Sequence, residues 1–380
     1  MSMLERNQFL KWVRLALSRN PVAALIGPRQ CGKTTLAREL LRGEVGTHYF
    51  DMEDPSVAQA LEDPMSSLSP LRGLVVIDEA QRQPGIFPVL RVLADRVEMP
   101  ARFLILGSAS PDLTRQASES LAGRVEIIEM SGFGLGEIDG EDAHRLWMRG
   151  GFPRSFLAQD EAASYEWRRQ FIRTFVEREI AQLGFRIASS AIHRFWTMLS
   201  HYHGQIWNGS EIAASLGVNP QTARNYLDAL EQTFMVRRLS PWYVNVGKRL
   251  VKSPKIYLRD SGLLHTLQGI RDMEALIAHP KLGASWEGFA LEVLLRRYAG
   301  EDAYFYAVHS GSELDLYYPN AGVGFEIKRQ DAPKRSRSMD IAVQDLKLRK
   351  LYVVYPGERS YALGDRIQAL PLHGDLPALG

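Results

Sequence analysis

Gly27-Pro28-Arg29-Gln30-Cys31-Gly32-Lys33-Thr34 decides how this chain is read. The octet fits G-x-x-x-x-G-K-[ST] without a mismatch. A strand-like run, Val22–Ile26, precedes it, and a helix-like run, Lys33–Leu41, follows. Glycines at 27 and 32 let backbone N–H groups turn inward around phosphate oxygens, and the helix that follows directs its positive end at them. Further along stands Leu74-Val75-Val76-Ile77-Asp78-Glu79. An apolar run that ends in two carboxylates is what a buried parallel strand delivering acids to a nucleotide looks like. Together the two stretches point to ATP hydrolysis.

Each residue type has a physical task there. Gly27, Pro28, Arg29, Gln30, Cys31, Gly32, Lys33, Thr34 and Thr35 form the nucleotide cradle. Lys33 is expected to bridge the β- and γ-phosphates, and the Thr34 hydroxyl to ligate magnesium. Asp78 reads as a carboxylate that binds Mg2+ directly or through its water, and Glu79 as the base that polarises the attacking water. In Phe103-Leu-Ile-Leu-Gly107-Ser108 a strand ends in a hydroxyl beside the acids, the place for a residue that senses the γ-phosphate. Arg124, in Ala122-Gly-Arg124, and Arg178, in Val176-Glu-Arg-Glu179, are the candidate arginine fingers, in cis or from a neighbouring subunit. A finger supplied by a neighbour requires a ring or a dimer, so self-association is expected. The expected cofactors are ATP and Mg2+.

Composition narrows the remaining classes. A chain of 380 residues has room for two or three domains. The net charge of +2 excludes a polycation, so affinity for nucleic acid must come from local patches. The single cysteine, Cys31, excludes an intrachain disulfide and fits a reducing compartment; inside the loop it reads as small filler before a redox switch. Met1–Asn20 carries Glu5, Arg6, Lys11, Arg14 and Arg19, which suits an amphipathic helix rather than a signal peptide. No run approaches the ~20 apolar residues of a membrane span. A soluble, cytoplasmic protein with no membrane partner is expected.

Strand-like and helix-like segments alternate from Val22 to about Met130, with further strands at His48–Asp51, Leu74–Ile77, Phe103–Leu106 and Val125–Met130. Such alternation means α/β structure, parallel strands with crossover helices. After Gly132-Phe-Gly-Leu-Gly136 and Gly150-Gly-Phe-Pro153, helical periodicity from Ala162 to about Leu183 reads as a lid or connector. Gly209–Gly217, then Val218-Asn219-Pro220, then Gln221–Thr233 makes a helix-turn-helix, with an Asn cap and Pro at the first helical position. Gln221, Thr222, Arg224 and Asn225 open its second helix, where base edges would be met. Between Arg237 and Arg259 lie seven Lys/Arg and no acid, interleaved with Trp242, Tyr243 and Tyr257. A winged helix would have its wing there. Lys248, Arg249 and Lys252 would contact phosphates and the aromatics stack on bases, which makes DNA, duplex or branched and without regard to sequence, the expected partner. The last unit has a helix at Ser285–Tyr298, strands at Tyr304–His309, Glu313–Tyr318 and Val323–Lys328, a helix near Met339–Leu346 and a strand at Leu351–Tyr355.

The order GPRQCGKTTLA, VVIDEAQ, GSAS, SLAGR, GGFP, Arg178-Glu179, Val251-Lys-Ser-Pro-Lys-Ile-Tyr257, Asp260-Ser-Gly-Leu-Leu264, Trp286-Glu287, Glu313-Leu-Asp315 and Glu326-Ile-Lys328 resembles the AAA-type ATPases of bacteria and archaea that carry a C-terminal domain of unknown function. Where that family more often shows Arg-Asp, this chain has Arg178-Glu179, and Arg154 follows GGFP where the family often has an acid. The resemblance spans almost the whole chain. It implies an AAA-like P-loop core over 1–145, a helical lid or connector over 146–190, a winged helix-turn-helix over 191–275, and a small α/β restriction-endonuclease-like domain over 276–380.

In the nuclease pattern that the last domain resembles, Asp315 and Glu326, with Glu287 on the preceding helix, would hold magnesium, and Lys328 would position water. Strand spacing agrees, since residues 326 and 328 share a face. Two functions follow as expectations. One is an oligomeric ATP-driven motor that remodels or translocates on DNA. The other is a slow ATP-switched signalling or defence module whose nuclease-like domain is a docking surface.

Overall fold

The computed structural model describes residues 4–98, 101–108, 111–243, 250–309 and 311–379. The chain gathers into two compact units: residues 1–133 with 182–185 and 232–234, and residues 134–181, 186–231 and 235–380. The first unit closes at 133, earlier than the 145 expected, because from Gly134 onward the chain engages the second unit: Glu137 accepts from the Gly134 N–H (2.8 Å) and from Arg296 (3.3 Å).

The first unit holds five strands: β1 (Val22–Gly27), β2 (His48–Asp51), β3 (Gly73–Asp78), β4 (Ala101–Ser108) and β5 (Val125–Glu129). They pair in parallel in the order β2-β3-β4-β1-β5. Alternate residues of the inner strands serve opposite faces. Val22, Ala24, Ile26, Val75, Ile77, Phe103 and Ile105 pack with the helix Ile86–Ala94. Ala23, Leu25, Val76, Leu104 and Leu106 pack with the helices Asn7–Arg19 and Lys33–Leu41. Cover on both faces is why every residue of β1 is buried and why the strand reads as an unbroken apolar run. The amino-terminal helix buries Phe9, Leu10, Val13, Ala16 and Leu17, one stripe of a 3.6-residue period. All five strands run toward one edge. Gly27, Asp78 and Ser108 end their strands on it, and Gly27 stands directly opposite Ser108.

The second unit begins with helices and contains two sheets. The helix Glu161–Thr174 continues through a π-helical turn, Phe175–Glu179, that carries Arg178 on its exposed side. The segments flanking that helix are tied by buried polar groups. Asp260 accepts from the Gly151 N–H (2.8 Å) and the Leu263 N–H (2.8 Å). Arg168 donates to the Met148 and Gly262 carbonyls (3.2 and 2.8 Å). A Cβ at Gly150, φ 75°, would collide with the Asp260 carboxylate, so the paired glycines of GGFP and the Asp-Ser-Gly run are one interlock. Arg154 is exposed beside it.

The helices Gly209–Leu216 and Pro220–Gln232 form the expected pair. Asn208 caps the first, Gly217 ends it at φ 72°, and the Asn219 side chain accepts from the Thr222 N–H at 2.8 Å. A three-stranded sheet, β6 (Gln205–Ile206), β7 (Val236–Leu239) and β8 (Lys255–Leu258), has the antiparallel order β6-β8-β7. The last sheet has β9 (Tyr304–Ala307), β10 (Glu313–Tyr318), β11 (Val323–Ile327), β12 (Lys350–Tyr355), β13 (Tyr361–Ala362) and β14 (Ile367–Pro371), ordered β13-β14-β12-β11-β10-β9. Strands β9, β10 and β11 form an antiparallel meander, and β11, β12 and β14 run parallel.

Candidate functional site

The loop after β1 is shaped by two left-handed residues, Gln30 (φ 62°) and Gly32 (φ 102°). Gly27 allows no side chain, because a Cβ there would collide with the Met130 carbonyl. Gly32 caps the helix Lys33–Leu41 without a side-chain acceptor, so that helix turns unsatisfied N–H groups toward the loop. Pro28 and Thr35 flank the turn in sequence. The Lys33 ammonium donates to the Gly27 and Pro28 carbonyls at 3.0 and 2.9 Å, folded beneath the loop that phosphate would enter. Cys31 is fully buried, its sulfur 3.6 Å from the Met130 carbonyl. This is the filler position that the sequence suggested. Sequence reasoning missed the support below it. Arg6, buried, donates to the carbonyls of Cys31 (3.0 Å), Ser131 (2.9 Å) and Gly132 (3.0 Å). One guanidinium thereby ties the start of the amino-terminal helix to the nucleotide cradle and to the chain that follows β5.

Asp78 is 3% exposed at the end of β3. Its Oδ2 accepts from the Thr34 hydroxyl at 2.7 Å and the Tyr49 hydroxyl at 2.6 Å, and its Oδ1 accepts from the Glu79 N–H at 2.9 Å. Burial, then the hydrogen bond to Asp78, raises Tyr49 well above its ordinary pKa, so the phenol keeps its proton. Tyr49 was not flagged by any motif; it sits on β2 opposite Val76, two residues from Asp78 on the same face. Hydroxyl and carboxylate oxygens converging beside a helix amino terminus suit hydrated magnesium.

Glu79 takes a left-handed backbone, φ 53°, a strain of order 1 kcal/mol that a functional turn tolerates. Its carboxylate accepts from Ser108 (3.1 and 3.3 Å) and from Gln81. The Arg29 Nε donates to the Ser108 hydroxyl at 3.4 Å. The loop, the Ser108 hydroxyl and the candidate base are therefore one chain of hydrogen bonds.

The two arginines fare differently. The Arg124 carbonyl accepts from the N–H of Val22, at the start of β1, whereas the loop lies at that strand's end. Some five residues at ~3.3 Å each separate them. Arg124 pairs instead with Asp95 at 2.5 and 2.9 Å, so it does not serve its own subunit's loop. Arg178 is exposed on the second unit.

The basic segment needs a correction. Of its seven cations, Arg237 and Arg259 pair with Glu292, Arg238 with Asp228 and Glu231, and Lys255 with carboxylates. The sequence looked free of acids only because these partners lie elsewhere in the chain. Lys252 is exposed; Lys248 and Arg249 lie outside the described residues. The aromatics differ too. Trp242 packs its ring on Tyr304 and Tyr317 while its backbone N–H donates to the Phe305 carbonyl (2.7 Å), and Tyr257 is fully buried. Tyr243, 57% exposed, is the member of the trio left accessible. On the second helix of the pair, Gln221, Arg224 and Asn225 are exposed and Thr222 is half-buried.

Asp315 on β10 and Glu326 on β11 are buried, and Glu287 lies on the helix Leu282–Arg297. The Asp315 Oδ2 accepts from the Ile327 N–H at 2.8 Å, and Lys328 pairs with the Glu326 Oε1 at 2.6 Å. Burial, then the charge of Asp315, pushes Glu326 up to about 8 against the pull of Lys328. The same two causes raise Glu287, opposed by Lys255. Among the described residues, no group of three or more His, Cys, Asp and Glu side chains is arranged to hold a metal ion. The Lys255 ammonium, from β8, reaches Glu287, Glu313 and Asp315 instead. The residues present thus do not fit the magnesium that the nuclease pattern implies.

No described helix is long and apolar enough to cross a membrane. Three family models match the chain in succession. They are an AAA domain over residues 19–139, a domain of unknown function (DUF8612) over 140–274, and another (DUF4143) over 282–374. Uncharacterized proteins of Mycobacterium tuberculosis and Mycobacterium bovis are each 54% identical over 371 residues, covering 97% of this chain and 84% of theirs. Among solved structures, a Walker-type ATPase of Pyrococcus abyssi is similar at 13% identity over 70% of this chain and 96% of its own, with a TM-score of 0.49. The chain belongs to the same family as the two mycobacterial proteins, and it is an ATPase that joins an AAA domain to DUF4143.

Proposed function

We propose that this ATPase is a self-associating motor that acts on DNA, duplex or branched, without reading its sequence. The loop's inward N–H groups and Lys33 would bind the phosphates. Thr34 and Asp78 would hold magnesium, which supplies charge neutralisation between the β- and γ-phosphates. Glu79 would accept a proton from the attacking water, and Ser108, bonded to both Glu79 and Arg29, would sense whether a γ-phosphate is present. Arg124, remote from its own loop, would complete a neighbour's site. The observation that carries the DNA role is the exposed row Gln221, Arg224 and Asn225 on a capped second helix, with Lys252 and Tyr243 accessible as well.

The second reading is an ATP switch that gates a docking partner. It is favoured by the ion pairs that consume four of the seven cations in the supposed wing. ATP turnover of wild type and Lys33→Ala, alone and with single-stranded, duplex and four-way-junction DNA, separates the two. A motor accelerates on one DNA form and the variant does not; slow turnover indifferent to DNA refutes the motor.

A further inference from the structure

Lys255 opens β8 and is 3% exposed, a burial that a lone ammonium does not survive without partners. It has three. Its Nζ lies 3.2 Å from the Glu287 Oε1 and 3.4 Å from the Asp315 Oδ1, and it contacts the Glu313 carboxylate. Two residues along the strand, on the same face, Tyr257 donates its hydroxyl to that same Glu287 oxygen at 2.6 Å. Two further acceptors are committed, Asp315 Oδ2 to the Ile327 N–H and Glu326 Oε1 to Lys328. Within the cluster, Glu326 Oε2 is buried without a hydrogen-bond partner.

We infer that Lys255 is the resident cation of this carboxylate cluster, standing where a divalent ion would stand and keeping one out. Three donors on a compact ammonium match three carboxylate oxygens at hydrogen-bond distance. A magnesium ion would need the same oxygens drawn in to ~2.1 Å in octahedral array. The consequence is a buried ion-paired peg. Strand β8 of the three-stranded sheet is anchored into the six-stranded sheet through its first residue, and the terminal domain serves as a fixed joint rather than as a metal-dependent nuclease.

The test uses the full chain without nucleotide, comparing thermal unfolding in EDTA and in millimolar Mn2+. Wild type and Asp315→Asn are expected to show no Mn2+-dependent shift at this site. An Mn2+ stabilisation of wild type that Asp315→Asn abolishes would show a metal site and overturn the inference. Lys255→Met, of similar length but neutral, is expected to melt several degrees lower and to recover when Mn2+ enters the vacated cluster. That recovery should disappear in Lys255→Met/Asp315→Asn. Full stability of Lys255→Met in EDTA, or no recovery with Mn2+, would equally overturn it. Should Lys255→Met fail to fold, the wild-type and Asp315→Asn pair decides alone.

Discussion

Asp78 holds three hydrogen bonds, and the one from Tyr49 comes from a side chain that no motif announces. A hydrogen bond to a charged group is worth ~1.5–3 kcal/mol. Tyr49→Phe keeps the ring packing and removes only the donor. We expect turnover to fall roughly tenfold and the magnesium concentration for half-maximal rate to rise. Unchanged turnover and magnesium dependence in a steady-state assay would deny Tyr49 a positioning role. Glu79→Gln preserves shape and the contact with Ser108 but cannot take a proton. General-base loss costs ~100-fold or more, so hydrolysis should vanish in a phosphate-release assay while fluorescent-nucleotide binding persists. Residues of the loop and the acid pair were legible because their chemistry demands a fixed local spacing. Arg6 and Tyr49 were not, since each acts through contacts set by tertiary packing and strand register, 25 residues and more from its partner in the case of Arg6 and Cys31.

At the scale of elements, two buried histidines make the second unit sensitive to acid. His203 accepts the Leu258 N–H on Nδ1 at 3.0 Å; His265 lies between the Met148 carbonyl (3.0 Å) and the Ser285 hydroxyl (2.6 Å). Burial lowers both to about 3. The folded state therefore refuses a proton that the unfolded chain accepts near 6.5. Their stabilising contribution is complete above pH 6.5 and is lost as pH falls from there toward 3. Between pH 7.5 and 5.0 each should cost about 2 kcal/mol of unfolding free energy, measurable by denaturant titration with fluorescence. A flat profile would mean that the rings are protonated or solvated. The elements themselves were read unevenly from sequence. Buried parallel strands of the first unit stand out as apolar runs between loop signals. Strands β13 and β14 went unread because the first has two residues and the second ends on a proline. The basic segment was misjudged for another reason: Glu292 lies 55 residues from Arg237, and no periodicity connects them.

At the scale of the molecule, the proposed motor would take its arginine finger from another copy, and Arg124, at the edge opposite its own nucleotide loop, is the candidate. Arg124→Ala should therefore lose turnover while still binding ATP. Mixing it with Lys33→Ala, which has a dead loop and an intact Arg124, should restore part of the activity through hybrid interfaces. No recovery on mixing, with both variants shown by light scattering to self-associate, would remove Arg124 from the mechanism. The cradle also offers a gauge of its own state. Cys31 is the chain's one thiol and is sealed under the loop. A soluble thiol reagent can reach it only while the loop is open, so the labelling rate counts openings without background from other sites. Bound nucleotide should slow that reaction, which turns an unmodified protein into its own clock for loop breathing.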